Sequence, residues 1–424
     1  MRPLRFVVIG LSGYAAVHLQ AVHWLAQQQL GRLTGVIALP ADRKNNVAAV
    51  RALTAQGVEW FASIDDFFAR PSNAADILAI PIGIHQHASV SRAALQAGLH
   101  VYCEKPLAAT VQEIDQLIAV RELAGRKLAV GFQHIYSPSI QQLKARISAG
   151  RLGRVQSITL LCSSPRSLQY YRRNDWAGKM RCAGNWVLDS PANNAHAHFL
   201  LNMLYLASAR THAADSPLAL RAELYRANPI ASCDTVQMEF TTREGVHCHA
   251  ILTHACAHEL GPFMRIVGEK GCAVWQPEQG KTLIECADGA SELFDNGTHA
   301  EWRYEGFKDL LHAIQHQTGP LCSAEIARCH TLAINAMHES CPSIVAVPSE
   351  FLEHAEDWQK FPPHTKGNFH RVRDLDQYLQ AAFEQNAFLS ELGIPWARAA
   401  QAQWVELEGY AHFPGLLSNK PIFK

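Results

Sequence analysis

Charge is scarce in this chain. Of its 424 residues only 18% are charged, against about a quarter in ordinary globular proteins. The 38 Lys and Arg balance 38 Asp and Glu, for a formal net charge of zero, so nothing draws the chain as a whole to nucleic acid or an anionic membrane. No apolar run approaches the ~20 residues that span a bilayer. The 11 cysteines are odd in number and never spaced as C-x-x-C, which points to reduced, mostly buried thiols and a cytoplasmic protein. There is no internal repeat, no low-complexity segment and no G-x-S-x-G elbow, so serine hydrolase chemistry has no support. Disorder is disfavoured too, because 48% of the residues are hydrophobic.

A chain of this length exceeds what one core supports, since cores stop growing near ~250–300 residues. Three regions follow from the pattern: residues 1–130, 131–345 and 346–424. In the first, strand and helix alternate. Arg5 to Gly10 is too short for a signal peptide's apolar region and reads as the end of a first strand. Strands follow at Leu33–Leu39, Val58–Phe61, Asp76–Ile80, His100–Cys103 and Lys127–Phe132. Near-continuous apolar strands separated by helices imply a parallel sheet buried on both faces, with ligands beyond the strands' carboxyl ends. The second region changes character, with an expected hairpin of Thr235–Phe240 and Val246–His254, helices returning at Gly306–Gln315 and Ser323–Ser340, and a helix starting at Pro191 behind a Ser190 N-cap. The fold class is therefore α/β in the first domain, then α+β with a largely antiparallel open sheet. Helices near 306–340 are expected to pack back on the first domain. Residues 346–424 form a C-terminal extension.

The first candidate site is Gly10-Leu11-Ser12-Gly13-Tyr14-Ala15, placed between a strand and a helix as a G-x-G-x-x-G dinucleotide turn would be. Ser12 and Ala15 replace the second and third glycines, and both are small. A tight structural turn would account for the same residues. The acid that holds ribose hydroxyls should follow the second strand. Asp42 comes slightly late and favours NAD, whereas Arg43 and Lys44 suit the extra phosphate of NADP, and a solvated helix start explains all three equally well.

The stretch Ala94-Leu95-Gln96-Ala97-Gly98-Leu99-His100-Val101-Tyr102-Cys103-Glu104-Lys105-Pro106-Leu107 resembles the glucose–fructose oxidoreductase / inositol dehydrogenase / MocA-like (Gfo/Idh/MocA) family. Pro81 with His87, Gln133 with Pro138, and Gly268 with Gly271 extend the resemblance over roughly residues 4–340. It implies a Rossmann dinucleotide-binding domain followed by a substrate and oligomerisation domain. It also implies a bound NAD or NADP, held by the Gly10 turn, Asp42, Arg43, Pro81, His87, Glu104, Lys105, Pro106 and Gln133. In the family the Glu-Lys-Pro lysine lies beside the reacting carbon. A lysine there can hydrogen-bond the substrate oxygen and stabilise its charge.

The family's second signature runs Asp, Gly, His and a further acid or polar group. Here Asp189 is retained, Pro191 replaces the glycine, Asn193 stands at the histidine and His196 at the acid. Asn193 cannot exchange a proton near neutral pH, while His196 can. On a helix from Pro191 the two would share one face, with His196 supplying the acid/base. The competing reading makes Asn193 a helix cap and His196 a satisfied core residue. The loop before this signature offers Tyr171, Arg173, Asn174, Trp176 and Lys179 for sugar hydroxyls or a carboxylate, or equally for an oligomer contact. His247, His249, His254 and His258 are dense but lack converging partners, so no metal is expected.

These readings converge on a hydride-transferring oxidoreductase acting on a secondary alcohol or ketone of a sugar, cyclitol or polyol. Two rivals remain: a glycosidase or lyase recycling a tightly bound NAD, and a non-enzymatic sugar or nucleotide sensor. The expected partners are a small sugar or polyol and copies of the chain itself, as a dimer or tetramer built through the open sheet.

Overall fold

The computed structural model describes residues 2–70, 75–277, 280–296, 300–341, 343–356 and 367–415. The chain divides into two units. Unit 1 comprises Met1–Ala108, Gln112–Tyr136 and Ala300–Arg328, and unit 2 comprises Ala109–Val111, Ser137–His299 and Cys329–Lys424.

In unit 1, short apolar runs form β1 (Leu4–Ile9), β2 (Gly31–Ile37), β3 (Glu59–Phe61), β4 (Ile77–Ile80), β5 (His100–Glu104) and β6 (Leu128–Gly131). They pair in parallel in the order β3-β2-β1-β4-β5-β6. This is the doubly wound order of dinucleotide-binding sheets, with its switch point between β1 and β4. Phe6, Val7, Val8 and all of β4 are fully buried, as strands covered on both faces must be. Helices α1 (Tyr14–Gln27), α2 (Pro40–Asn45), α3 (Val47–Ala55), α4 (Ile64–Ala69), α5 (Ile84–Gln96) and α6 (Val111–Ala124) alternate with them. In α1 the buried residues Ala15, His18, Ala21, Val22 and Leu25 recur at three- and four-residue steps, the spacing of one helix face.

Segment 300–328 is part of this unit. Helix Glu305–His316 sends Phe307, Leu310 and Leu311 into the core formed by Phe6, Val8, Ile77, Ala79 and Ala129. Phe307 stacks on Tyr102 with ring centroids 3.8 Å apart. Val130 N–H donates to Cys322 O (2.9 Å), which closes the β6 edge.

Unit 2 is built on one long sheet. Its main strands are β7 (Val155–Ser163), β10 (Pro217–Arg226), β11 (Thr235–Thr242), β12 (His247–Thr253), β13 (Leu260–Gly268), β14 (Gly271–Gln276), β15 (Lys281–Cys286) and β16 (Ser291–Asp295), while β8 (Arg181–Cys182) and β9 (Asn185–Trp186) make a separate hairpin. The order is β16-β15-β14-β13-β7-β12-β11-β10-β17, with β17 at Val345–Ala346 and β20 (Val405–Glu406) also pairing with β10. Only the β7–β12 and β10–β17 pairs are parallel. The expected hairpin is present as β11–β12. Alternate residues Ile158, Leu160, Leu220, Leu224, Met238, Phe240, Met264 and Ile266 are buried on the inner face, where α9 (Ala197–Ala207) packs on β7 and against α7 (Pro138–Ser148).

The sheet is open and largely antiparallel, as expected, and its outer face is covered over much of its area. The hairpin of β18 (Leu352–Glu356) and β19 (Asn368–Val372), helix Leu375–Gln385 and the segment through Ala397 lie on it. Leu161, Tyr225 and Ile251 of the sheet form one cluster with Leu375, Leu379, Leu389, Ile394 and Trp396. The polar outer-face residues are answered in turn. Gln237 accepts from Leu389 N (2.7 Å), His249 meets Asn386 Oδ1 (3.2 Å), and Ser390 Oγ donates to Glu223. The C-terminal region thus occupies the surface over β7 and β10–β12 through which copies of the chain were expected to associate.

Candidate functional site

At the carboxyl ends of β1 and β2 the glycine turn is shaped for close approach. Gly10 has φ +94°, and a Cβ there would stand 3.0 Å from Ala15 Cβ. The position demands glycine, and Ala15 is the largest residue its neighbour tolerates. Helix α1 begins at Gly13 with no side-chain cap and no acid in its first turn. No side chain competes for its first turn, where a pyrophosphate would sit, although Ala15 N and Ala16 N reach Ser12 O and Gly13 O (both 3.2 Å). Asp42, carried by α2, reaches back to this turn: Leu11 N donates to Oδ2 (3.1 Å) and Ser12 Oγ to Oδ1 (3.1 Å). The acid that comes late in sequence therefore lands beside the glycines. Arg43 lies over Trp60 and donates to Ala38 O (3.2 Å), while Lys44 is exposed.

Glu104 and Lys105 end β5. Glu104 is buried, and His18 Nε2 (2.9 Å) and Gln133 Nε2 (2.8 Å) both reach its Oε1. Because a carboxylate only accepts, His18 must donate through Nε2. Lys105 N donates to Oε2 (3.2 Å). A Cβ on residue 131 would fall 2.6 Å from Oε1, so Gly131 makes room for the carboxylate. Lys105 itself is partly exposed, and its bond to Pro106 is cis.

Three residues expected to touch a nucleotide serve the frame instead. His87 is buried, with Nδ1 2.7 Å from Pro106 O and Nε2 3.0 Å from Ile82 O. Both ring nitrogens face backbone carbonyls, and the neutral ring donates its one N–H to either of them, so His87 sits between the turn after Pro81 and the turn after Lys105. Burial pushes its pKa below the ordinary histidine value. Gln133 braces Glu104, and Glu104 in turn holds Gln133, His18 and the Lys105 amide. His18 was not anticipated; its place on the inner face of α1 was the available signal.

In unit 2 the second signature is not helical at its start. Residues 191–196 form turns and α9 begins only at Ala197. Ser190 Oγ does accept from Asn193 N (3.2 Å), but His196 N reaches Pro191 O, a wider turn than an α-helix makes. The cause is Asn193, whose Nδ2 donates to Val187 O (3.0 Å) and Leu188 O (3.1 Å). These bonds clamp the bend at Leu188, where φ is +52°. Asn193 thus holds backbone rather than a ligand hydroxyl, and it shares no helix face with His196. Asp189 is likewise engaged, accepting from Gly178 N (2.5 Å) and Asn194 Nδ2 (2.9 Å).

His196 is buried, with Nε2 3.1 Å from Ser164 Oγ. Its ring meets His254 edge to face at 4.9 Å. His254 Nδ1 lies 3.0 Å from Ser164 O, so Ser164 anchors both imidazoles. Burial first, and the neighbouring His196 second, hold His254 well below the ordinary histidine pKa. The sequence offers His254 as a metal-ligand candidate alone, because 58 residues separate it from His196. Among the described residues no three His, Cys, Asp or Glu gather as a metal site. All 11 cysteines are free.

The loop after α8 (Leu168–Tyr171) divides its candidates. Tyr171 turns inward, its hydroxyl enclosed without a partner among the described residues. Asn174 Oδ1 accepts from Trp176 N (3.2 Å) and Ala177 N (2.8 Å), shaping the loop. Arg173 and Lys179 are exposed and Trp176 half-buried.

Residues 4–132 match the sequence model GFO_IDH_MocA, described as an oxidoreductase family with an NAD-binding Rossmann fold. Residues 4–132 thus carry the sequence pattern of the Gfo/Idh/MocA oxidoreductase family. A myo-inositol dehydrogenase of Streptomyces leeuwenhoekii is 39% identical over 100 residues, 24% of this chain and 30% of that protein. The matched stretches span 30%, 44% and 21% of three such curated relatives, less than half of each. Among solved structures, the WlbA dehydrogenase of Bordetella pertussis, in complex with NADH and UDP-GlcNAcA, shares 20% identity and superposes with a TM-score of 0.63 over 80% of this chain and 96% of that one. The aldose–aldose oxidoreductase of Caulobacter crescentus gives 0.65 at 18% identity, over 79% and 96%. These likenesses establish a common Gfo/Idh/MocA fold. Among the described residues no helix is long and apolar enough to cross a membrane.

Proposed function

We propose that this chain is an NAD-dependent oxidoreductase of the Gfo/Idh/MocA family, oxidising a secondary alcohol of a sugar, cyclitol or polyol, or reducing the corresponding ketone. The observation that carries this reading is the Glu104–Lys105–Pro106 turn. It stands at the carboxyl end of a doubly wound sheet that also presents a glycine turn leading into a helix with no side-chain cap. The nicotinamide, when bound, supplies the hydride chemistry. The chain's own residues do the rest.

The Gly10 turn and the α1 N-terminus receive the pyrophosphate. Asp42 lies where ribose hydroxyls would be held, and its charge opposes a 2′-phosphate, which favours NAD over NADP. Lys105 donates a hydrogen bond to the substrate oxygen and stabilises the charge that develops there. Glu104, fixed by His18 and Gln133, sets the direction of the lysine's backbone. In unit 2, His196 is the signature residue whose side chain is chemically able to exchange a proton.

Titrating the purified protein with NADH and with NADPH, followed by energy transfer from its 9 tryptophans, tests the assignment. The reading predicts micromolar-range binding of NADH and weaker binding of NADPH. If neither binds to nucleotide-free protein, the reading is wrong.

A further inference from the structure

The balance of charge that holds for the whole chain fails around Tyr170. Arg166, Arg172, Arg173, Lys179 and Arg181 fall in one short stretch of unit 2, and among the described residues none of them forms an ion pair. By contrast Arg70, Arg121, Arg146, Arg221, Arg328 and Arg371 each lie against a carboxylate. The acid within the stretch, Asp175, accepts instead from Cys182 Sγ (3.4 Å).

Two of these cations converge on one ring. The Arg173 guanidinium sits 3.6 Å from the Tyr170 ring centre and the Arg166 guanidinium 5.2 Å from it. Each donates to one backbone oxygen, Arg166 to Pro165 O (3.0 Å) and Arg173 to Tyr170 O (2.6 Å). A guanidinium carries five N–H donors, so most of their donors are uncommitted. The same ring adjoins the second signature. Asn194 Nδ2 is 3.4 Å from the Tyr170 hydroxyl and also binds Asp189, and His254 meets the ring edge to face at 5.9 Å. Asp189 is the nearest acid, and backbone and amide donors engage it.

We infer that Arg166 and Arg173, stacked on Tyr170, form a binding site for an anionic group of the substrate, so that the sugar or polyol bears a carboxylate or a phosphate. This rests on the oxidoreductase reading for the word substrate; the anion site itself stands on unit 2 alone. Two guanidiniums without a carboxylate partner among the described residues lie against one aromatic ring. An oxyanion that takes donors from both gains charge-assisted hydrogen bonds. The field at His254 agrees, since after burial and His196 the Arg166 and Arg173 charges also depress its pKa.

The test compares glucose, glucuronate and glucose 6-phosphate as ligands of the full-length protein, read by tryptophan fluorescence at low and high KCl. NADH binding is measured in parallel. The anions should bind about tenfold or more tightly than glucose, as expected for charge-assisted contacts, and the advantage should shrink with salt. Arg166→Gln with Arg173→Gln should abolish it without changing NADH affinity, and Arg166→Lys with Arg173→Lys should restore part of it. A preference for glucuronate identifies a carboxylate, and a preference for glucose 6-phosphate a phosphate. Equal binding of all three sugars overturns the inference, as does an advantage that survives in the Gln pair. Anion binding that is lost in the Gln pair, in a protein that binds no NADH, would uphold this site and sink the oxidoreductase reading.

Discussion

Replacing Glu104 with Gln changes almost nothing in volume and much in bonding. The carboxylate is buried and takes three donors: His18 Nε2 and Gln133 Nε2 on one oxygen, and Lys105 N on the other. An amide placed with its oxygen toward His18 and Gln133 turns its NH2 onto the Lys105 N–H, donor against donor. The opposite flip is worse, because it sets the NH2 against two donors. One hydrogen bond is lost outright and two fall from charged to neutral strength, a gross loss of about 5 kcal/mol at ~1.5–3 per charged and ~0.5–1.5 per neutral bond. Burying a neutral group instead of a charged one returns part of this, leaving about 2 kcal/mol. For a unit of this size that is a fall of about 5 °C in Tm, measurable by scanning calorimetry. Turnover should drop by more than the stability change explains, because the Lys105 amide loses its anchor. Gly131→Ala should reproduce both effects from the other side, its methyl intruding on the carboxylate. An unchanged Tm with unchanged turnover in Glu104→Gln would refute the role given to this network.

Three further outcomes follow from the geometry. Lys144 is buried, with Nζ on the carbonyls of Tyr205, Ser208 and Ala213, and burial pushes its pKa down to about 7. The unfolded chain, with lysine near ~10.4, binds more protons between these values, so this group makes stability rise with pH across that window; Lys144→Met should flatten the rise in a series of urea titrations. Trp396 packs edge to face on Tyr225 at 5.1 Å. Trp396→Ala should cost about 3–5 kcal/mol in the same assay, and a cost under ~1 would mean that the C-terminal region does not cap the sheet. Replacing His196 with Ala should remove the pH dependence of turnover around neutrality, and an unaltered profile would place the proton carrier elsewhere.

What could be read from the sequence was what local chemistry decides. The strands and turns of unit 1 declare themselves through apolar runs ended by Gly10, Pro81 and Gly98, and the family likeness rests on contiguous residues around Glu104-Lys105-Pro106. The second signature was misread because Ser190-Pro191 has the form of a helix start. The amide of Asn193 prefers the carbonyls of Val187 and Leu188, and that preference depends on the bend at Leu188. Strand β10 escaped notice for a related reason. Its outer residues Arg221, Glu223 and Tyr225 look solvated, and the groups that meet them, Glu391, Ser390 and Trp396, lie more than 150 residues away in sequence. Long-range pairings of this kind also hid the cover on the sheet's outer face and the place of His254 beside His196.

The central claim is that Lys105 performs the chemistry in a nucleotide-binding unit. Its most direct test is the Lys105→Met variant, assayed for NADH binding and for NADH formation with a sugar or polyol that the wild-type protein oxidises. The account predicts nucleotide affinity close to wild type and no detectable turnover. Turnover at the wild-type rate would contradict it.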